Sequence, residues 1–168
     1  STDGCEGLYV TTTLQGSRPG GVVAQAWGTL LHIGDDGYRK SARDMHRVME
    51  GAQAIVRETK TLRVLTKPDL CCVPITSDTI DIYKVASVME KKGWNMFTGQ
   101  NPPVMTLCVG EQHLKVLEKW GADLRDAVRQ VEKNPNLKVE GNAAVYGAAA
   151  SAPDDVLDDI LRSYCDIR

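Results

Sequence analysis

The spacing of apolar positions changes several times along the chain, and each change marks an element. Leu8-Tyr9-Val10-Thr11-Thr12-Thr13-Leu14 is rich in β-branched residues and predicts a strand or extended segment. From Val22 to Ile33 apolar residues fall nearly all round a helix, which predicts a largely buried one. Gly34 is placed to end that helix, and Asp35 or Asp36 to cap the next. The next helix has the clearest period in the sequence. Tyr38, Ala42, Met45, Met49, Ala52, Val56 and Thr59 recur at intervals of three and four, on one face. Arg43, Arg47, Glu50, Arg57 and Glu58 are left for the solvent side.

Beyond residue 60 the pattern becomes an α+β alternation. Leu62–Leu65 predicts a short strand, and Leu70–Thr76 a second with Pro74 near its end or on an edge. Ser77 or Asp78 would cap a helix carrying Ile82, Val85, Ala86 and Met89 inward, and Gly93 would end it. Trp94–Phe97 reads as extended, 99–103 as a loop and Val104–Val109 as a buried strand. Glu111 to Lys133 reads as a long amphipathic helix stopped by Pro135. Lys138 to Ser151 is rich in glycine and alanine, lacks a helical period and reads as a loop. A last helix is expected from Pro153 towards Tyr164. The order of strands and helices with short connections predicts a small, mostly antiparallel sheet covered by helices.

Composition narrows the class. A chain of 168 residues, 42 % of them hydrophobic, can bury a core. A net charge of −2 with scattered basic residues argues against a nucleic-acid partner or an anionic membrane surface. No apolar run approaches the about 20 residues that span a bilayer, and no secretory signal opens the chain, so a soluble chain is expected. The five cysteines (Cys5, Cys71, Cys72, Cys108, Cys165) have no framework spacing and read as buried, reduced thiols. His32, His46 and His113 show no metal-ligand spacing with them, and no metal is expected.

Candidate chemistry centres on Gly16-Ser17-Arg18-Pro19-Gly20-Gly21. Glycines allow close backbone approach, Ser17 and Arg18 offer hydrogen bonds, and the helix that follows offers free N–H groups. Such a turn suits a phosphate, although from these six residues alone a plain strand-to-helix connection is the favoured reading. The wider run from Gly7 to Gly21, then Trp27, then Gly34-Asp35-Asp36-Gly37-Tyr38, resembles the sphingosine-1-phosphate lyases of the group II decarboxylase family, pyridoxal-phosphate enzymes of fold type I. Asp81-Ile82-Tyr83, Lys92-Gly93-Trp94-Asn95 and Gly141 to Gly147 keep step with it, so the resemblance runs from about Gly7 to Tyr146.

That resemblance implies the end of a large cofactor-binding domain at 1–37, a linking helix at 38–60 and a small carboxy-terminal domain at 61–168. It implies pyridoxal 5'-phosphate as cofactor, a homodimer, and a phosphorylated sphingoid base as substrate, cleaved to a fatty aldehyde and phosphoethanolamine. In the family the turn matching Gly16 and Ser17 reaches the cofactor phosphate of the neighbouring subunit. Tyr146 matches a tyrosine near the substrate phosphate, or else packs under a loop with its hydroxyl on a backbone carbonyl. Arg18 stands with it on the substrate side, pairing with a carboxylate or stiffening the loop. The lysine that carries the cofactor lies upstream of the segment matched by this chain. The lysines present read as solvated charges, so the chain is expected to be a carboxy-terminal fragment, inactive alone. The complete enzyme would face the cytoplasm, anchored in the endoplasmic reticulum in a eukaryote through segments absent here. Pro103-Val104-Met105-Thr106-Leu107-Cys108-Val109-Gly110 lacks the arginine that holds a substrate carboxylate in related decarboxylases. Two alternatives stay open: a fragment of a group II amino-acid decarboxylase, and a non-catalytic α+β interaction module.

Overall fold

Helix α1 (Gly20–Glu58) opens the computed structural model, which describes residues 19–67, 71–149, 153, 156, 157, 159, 162 and 163. At Gly34 the backbone leaves helical geometry, with φ 66° and ψ 172°, a left-handed φ that glycine tolerates without strain. The residue expected to stop the first helix therefore breaks α1, and helix resumes directly after it. The two halves have different surroundings. Val22, Val23, Trp27, Leu30, Leu31 and Ile33 are between 41 % and 65 % exposed. The burial expected for Val22–Ile33 is thus not supplied by the described residues. In the second half Val48, Ala52 and Val56 are fully buried, and the expected apolar face is used from Met45 onward; Tyr38 stays exposed.

Four strands follow: β1 (Arg63–Val64), β2 (Cys72–Thr76), β3 (Phe97–Gly99) and β4 (Val104–Cys108). They form a sheet in the order β1-β2-β4-β3, every neighbouring pair antiparallel. Strand alternation sorts the faces. Val73, Ile75, Met105 and Leu107 point inward and are at most 2 % exposed, whereas Cys72 and Cys108 lie on the outer face. The thiols of Cys71, Cys72 and Cys108 are free and exposed, which corrects the expectation of buried ones: alternation turns Cys72 and Cys108 to the face opposite the core, and Cys71 lies just before β2. Pro74 sits inside a central strand rather than on an edge. Its carbonyl accepts the Leu65 N–H (2.9 Å), and β1 ends at Val64, so its missing donor costs the ladder little.

Helix α2 (Ile82–Lys91) covers the inner face with the second half of α1, and α3 (Leu117–Lys133) packs against both helices. Their Val85, Met89, Trp120, Leu124 and Val128 complete the core. The cap of α2 is Asp81, whose carboxylate accepts the Tyr83 N–H (2.9 Å). Ser77 instead takes the N–H groups of Thr79 and Ile80, and Asp78 pairs with Arg63. The helix expected over 111–133 is split into a 3₁₀ turn (Glu111–Lys115) and α3, where Val116 adopts φ −123° and ψ 5°. A helix not expected from the sequence, α4 (Asn142–Ala149), packs on α2. Alanine favours helix, yet a run of small residues shows no apolar period. It comes close to α2 at Gly147, where a Cβ would make ordinary van der Waals contact with the Tyr83 ring at 3.6 Å. Helical geometry returns at 156, 157, 159, 162 and 163, in line with the last expected helix. Among the described residues no helix is long and apolar enough to cross a membrane.

The segment after α2 is clamped to α3 through Asp123. Its carboxylate accepts the Trp94 Nε1–H (2.9 Å) and pairs with Lys119 (2.5 Å), whose ammonium also lies 5.2 Å from the Trp94 ring centre. Lys92 bridges Asp123 and Asp126. The Lys119 hydrogen bond, then that of Trp94, holds the Asp123 carboxyl below its usual range.

Two outcomes are expected. Leu124→Ala removes a fully buried side chain between helices and should cost about 2–5 kcal/mol in urea unfolding. Because the folded-state pKa of Asp123 is depressed, its stabilisation is present above the ordinary value of 3.8 and is lost as pH falls through the lower folded value. Asp123→Asn should lower the unfolding midpoint at pH 7 and weaken the fall in midpoint below pH ~4, measured by circular dichroism.

Candidate functional site

Pro19 precedes α1 in an extended conformation, φ −60° and ψ 135°, and has no side-chain hydrogen bond to give the helix. Its carbonyl accepts the Val22 N–H (3.1 Å), so the helix begins at Gly20, two residues before the expected start. The first turn carries no acidic residue, and a Cβ on Gly20 or Gly21 would meet nothing within 4 Å. Among the described residues no side chain caps the N-terminal N–H groups of α1, and the positive end of the helix dipole lies behind them. Gly16, Ser17 and Arg18 come immediately before this helix start and lie outside the described residues, as does the strand expected at 8–14.

Tyr146 lies on α4, not in a loop. It is half-buried against the core and lines a cavity of about 260 Å³ with Asn95, Met96, Phe97, Thr98 and Val145. Thr98 Oγ1 is buried there without a hydrogen-bond partner, and the Tyr146 hydroxyl has none among the described residues. The packed-tyrosine geometry occurs instead at Tyr83, whose hydroxyl donates to the Gly99 carbonyl (2.9 Å). Burial, then the charge of Asp81, pushes the Tyr83 phenol up from its usual range.

No side chain lining the Tyr146 cavity is charged. The cavity can offer hydroxyl groups to a ligand but cannot neutralise a phosphate by itself. Thr98 had no signal in the sequence, because an unpaired buried hydroxyl becomes visible only once the strand pairing is known. Lys40, Lys91 and Lys119 are exposed as expected of solvated charges, whereas Lys84 and Lys92 are half-buried against the Pro135 carbonyl and the Asp123–Asp126 pair. Lys40 pairs with Asp44, Lys91 with Glu140, Lys92 with Asp126 and Lys119 with Asp123. The Asp44 hydrogen bond raises Lys40, and that of Asp126 raises Lys92. This is the opposite of the shift that frees an amine to condense with a carbonyl.

Comparison with known proteins adds an independent line. No family model matches the chain. Sphingosine-1-phosphate lyase of Arabidopsis thaliana is 36 % identical over 166 residues, 98 % of this chain and 30 % of the relative. Sphingosine-1-phosphate lyase 1 of Rattus norvegicus is 31 % identical over 88 % of this chain and 26 % of its own length. A solved sphingosine-1-phosphate lyase of Burkholderia pseudomallei superposes with a TM-score of 0.67 at 35 % identity, over 80 % of this chain and 31 % of that one. The chain therefore spans about 30 % of the length of the relatives it matches.

Proposed function

From the homology of this chain to the sphingosine-1-phosphate lyases over most of its length, as a carboxy-terminal part of them, we propose that it belongs to an enzyme that splits long-chain base phosphates between C2 and C3. The products are a fatty aldehyde and phosphoethanolamine. The observation that carries this reading is sequence identity of 36 % across 98 % of the chain, matched by the fold. Pyridoxal 5'-phosphate, when bound, supplies the electron sink for breaking that carbon–carbon bond. The open start of α1 fits one end of such a cofactor, because uncapped N–H groups behind a glycine-flanked serine suit its phosphate. Ser17 adds a hydroxyl, Gly16 permits the approach, and the phosphate belongs to the cofactor held by the other subunit of a homodimer.

Tyr146 contributes to the substrate side, where its unpaired hydroxyl reaches the substrate phosphate. The countercharge comes from outside its cavity, with Arg18 the candidate within this chain. The exposed apolar half of α1 supplies the subunit contact. Alone, the chain carries no cofactor-anchoring lysine and does not catalyse. Mixed with pyridoxal phosphate and reduced with borohydride, it should show no attachment at one unique lysine and no lyase turnover; a single labelled lysine with turnover would overturn the fragment reading.

Two further outcomes separate the roles. In the complete enzyme Ser17→Ala should weaken cofactor retention by about ten- to a hundred-fold, the loss of one hydrogen bond to a charged group. Tyr146→Phe should keep cofactor content but lower turnover, and normal turnover would leave the tyrosine a packing residue. In sedimentation, the chain should self-associate through α1, and Leu30→Asp with Leu31→Asp should shift it towards monomer. A double variant that sediments like the parent would remove α1 as the contact.

A further inference from the structure

On the sheet face opposite the core, Cys72 of β2 and Cys108 of β4 stand directly across from each other. Their Sγ atoms are 3.7 Å apart, in contact, and both residues are exposed. The register explains the proximity. The Val109 N–H donates to the Cys71 carbonyl, so 71 and 109 form a hydrogen-bonded pair, and 72 and 108 the non-hydrogen-bonded pair beside it. In such pairs the Cα atoms of antiparallel strands approach to about 4.5 Å, inside the range of about 4.4–6.8 Å that disulfides bridge. Two cysteines facing outward at this register are not filling a core. Among the described residues no group of three ligating side chains gathers to hold a metal ion.

We propose that Cys72 and Cys108 are a two-electron thiol–disulfide site that reacts with a low-molecular-weight disulfide, such as oxidised glutathione, and closes into a covalent staple between the two central strands. Either sulfur can open the exchange, and the electron balance is the same from both; from Cys108 it proceeds through a mixed disulfide at that sulfur. The Cys108 thiolate attacks one glutathione sulfur, and the disulfide bond breaks. One glutathione leaves as thiolate and takes up the proton that Cys108 released. Cys72 then gives its proton to solvent and its sulfur attacks Cys108, expelling the second glutathione, which takes up that proton. Two cysteine thiols are oxidised by two electrons, and one disulfide is reduced to two thiols. The staple closes the loop that holds α2 and β3, and so restrains the unfolded chain.

Oxidised glutathione added to the intact 168-residue chain, followed by alkylation, trypsin and mass spectrometry, tests the site. The expected product links peptides 64–84 and 93–115, with two free thiols lost, a mass about 2 Da lower and full reversal by dithiothreitol. The oxidised chain should also melt at a higher temperature than the reduced one. Cys71→Ser should keep the link, Cys108→Ser should abolish it, and Cys72→Ser should stop at a glutathione adduct on Cys108. Circular dichroism of each variant checks its fold, and these side chains lie outside the core. No link, a bond between Cys71 and Cys72, or stable adducts in the unaltered chain would overturn the proposal; a misfolded variant leaves the decision to the unaltered chain and to Cys71→Ser.

Discussion

The pairing of β2 with β4 is the constraint on which the rest of this structure depends. Both are central strands, and their inward residues, Val73, Ile75, Met105 and Leu107, are almost wholly removed from water. Each such side chain contributes about 1.5–3 kcal/mol on burial, but only while the register holds. A slip by one residue would turn Cys72, Pro74, Thr106 and Cys108 inward and put the apolar set in solvent. The helices depend on that face in turn. The second half of α1, α2 and α3 all bury their apolar stripes against it or against one another, and α4 is held through α2.

The sequence made most of this frame legible because its signals were periodic. Met45, Met49, Ala52 and Val56 announce the buried face of α1, and the apolar runs Leu70–Thr76 and Val104–Val109 announce the two central strands. Gly34 marked the break for a local reason, its left-handed φ. What stayed hidden depends on partners distant in sequence. The α4 helix has small residues that pack by closeness, and small residues leave no hydrophobic period. Asp81 captured the cap of α2 because Ser77 and Asp78 were already engaged elsewhere, by the 77–80 turn and by Arg63. The exposure of Cys72 and Cys108 followed from the strand register, which turns them to the face opposite the core. An apolar stretch such as Val22–Ile33 tells that something covers it, but not whether that cover is in the same chain.

The candidate site was legible in a different way. Its residues came from a resemblance in several blocks, and the structure gives those blocks unequal jobs. Asp81 and Tyr83 cap a helix and pin the Gly99 carbonyl. Lys92 and Trp94 clamp onto Asp123 and Asp126. These are structural uses, with every polar group named here satisfied inside the chain. A motif of this kind identifies a fold, since a change in any partner would loosen a specific contact.

Tyr146 and the start of α1 differ from those blocks in what they leave unmet. The tyrosine hydroxyl, the neighbouring Thr98 hydroxyl and the first N–H groups of α1 have no side-chain partner among the described residues. Leaving a buried polar group unpaired costs about 1–3 kcal/mol, so Thr98 carries a penalty that packing alone does not offset. Penalties of that size are commonly relieved by water or by a ligand. The same reasoning explains the exposed apolar helix: surface that a chain leaves uncovered is surface suited to a partner. Glu90, Gln100 and the core residue Trp120 also bury an unpaired polar atom, so an unmet group points outward to a ligand only where a cavity opens beside it, as at Thr98 and Tyr146.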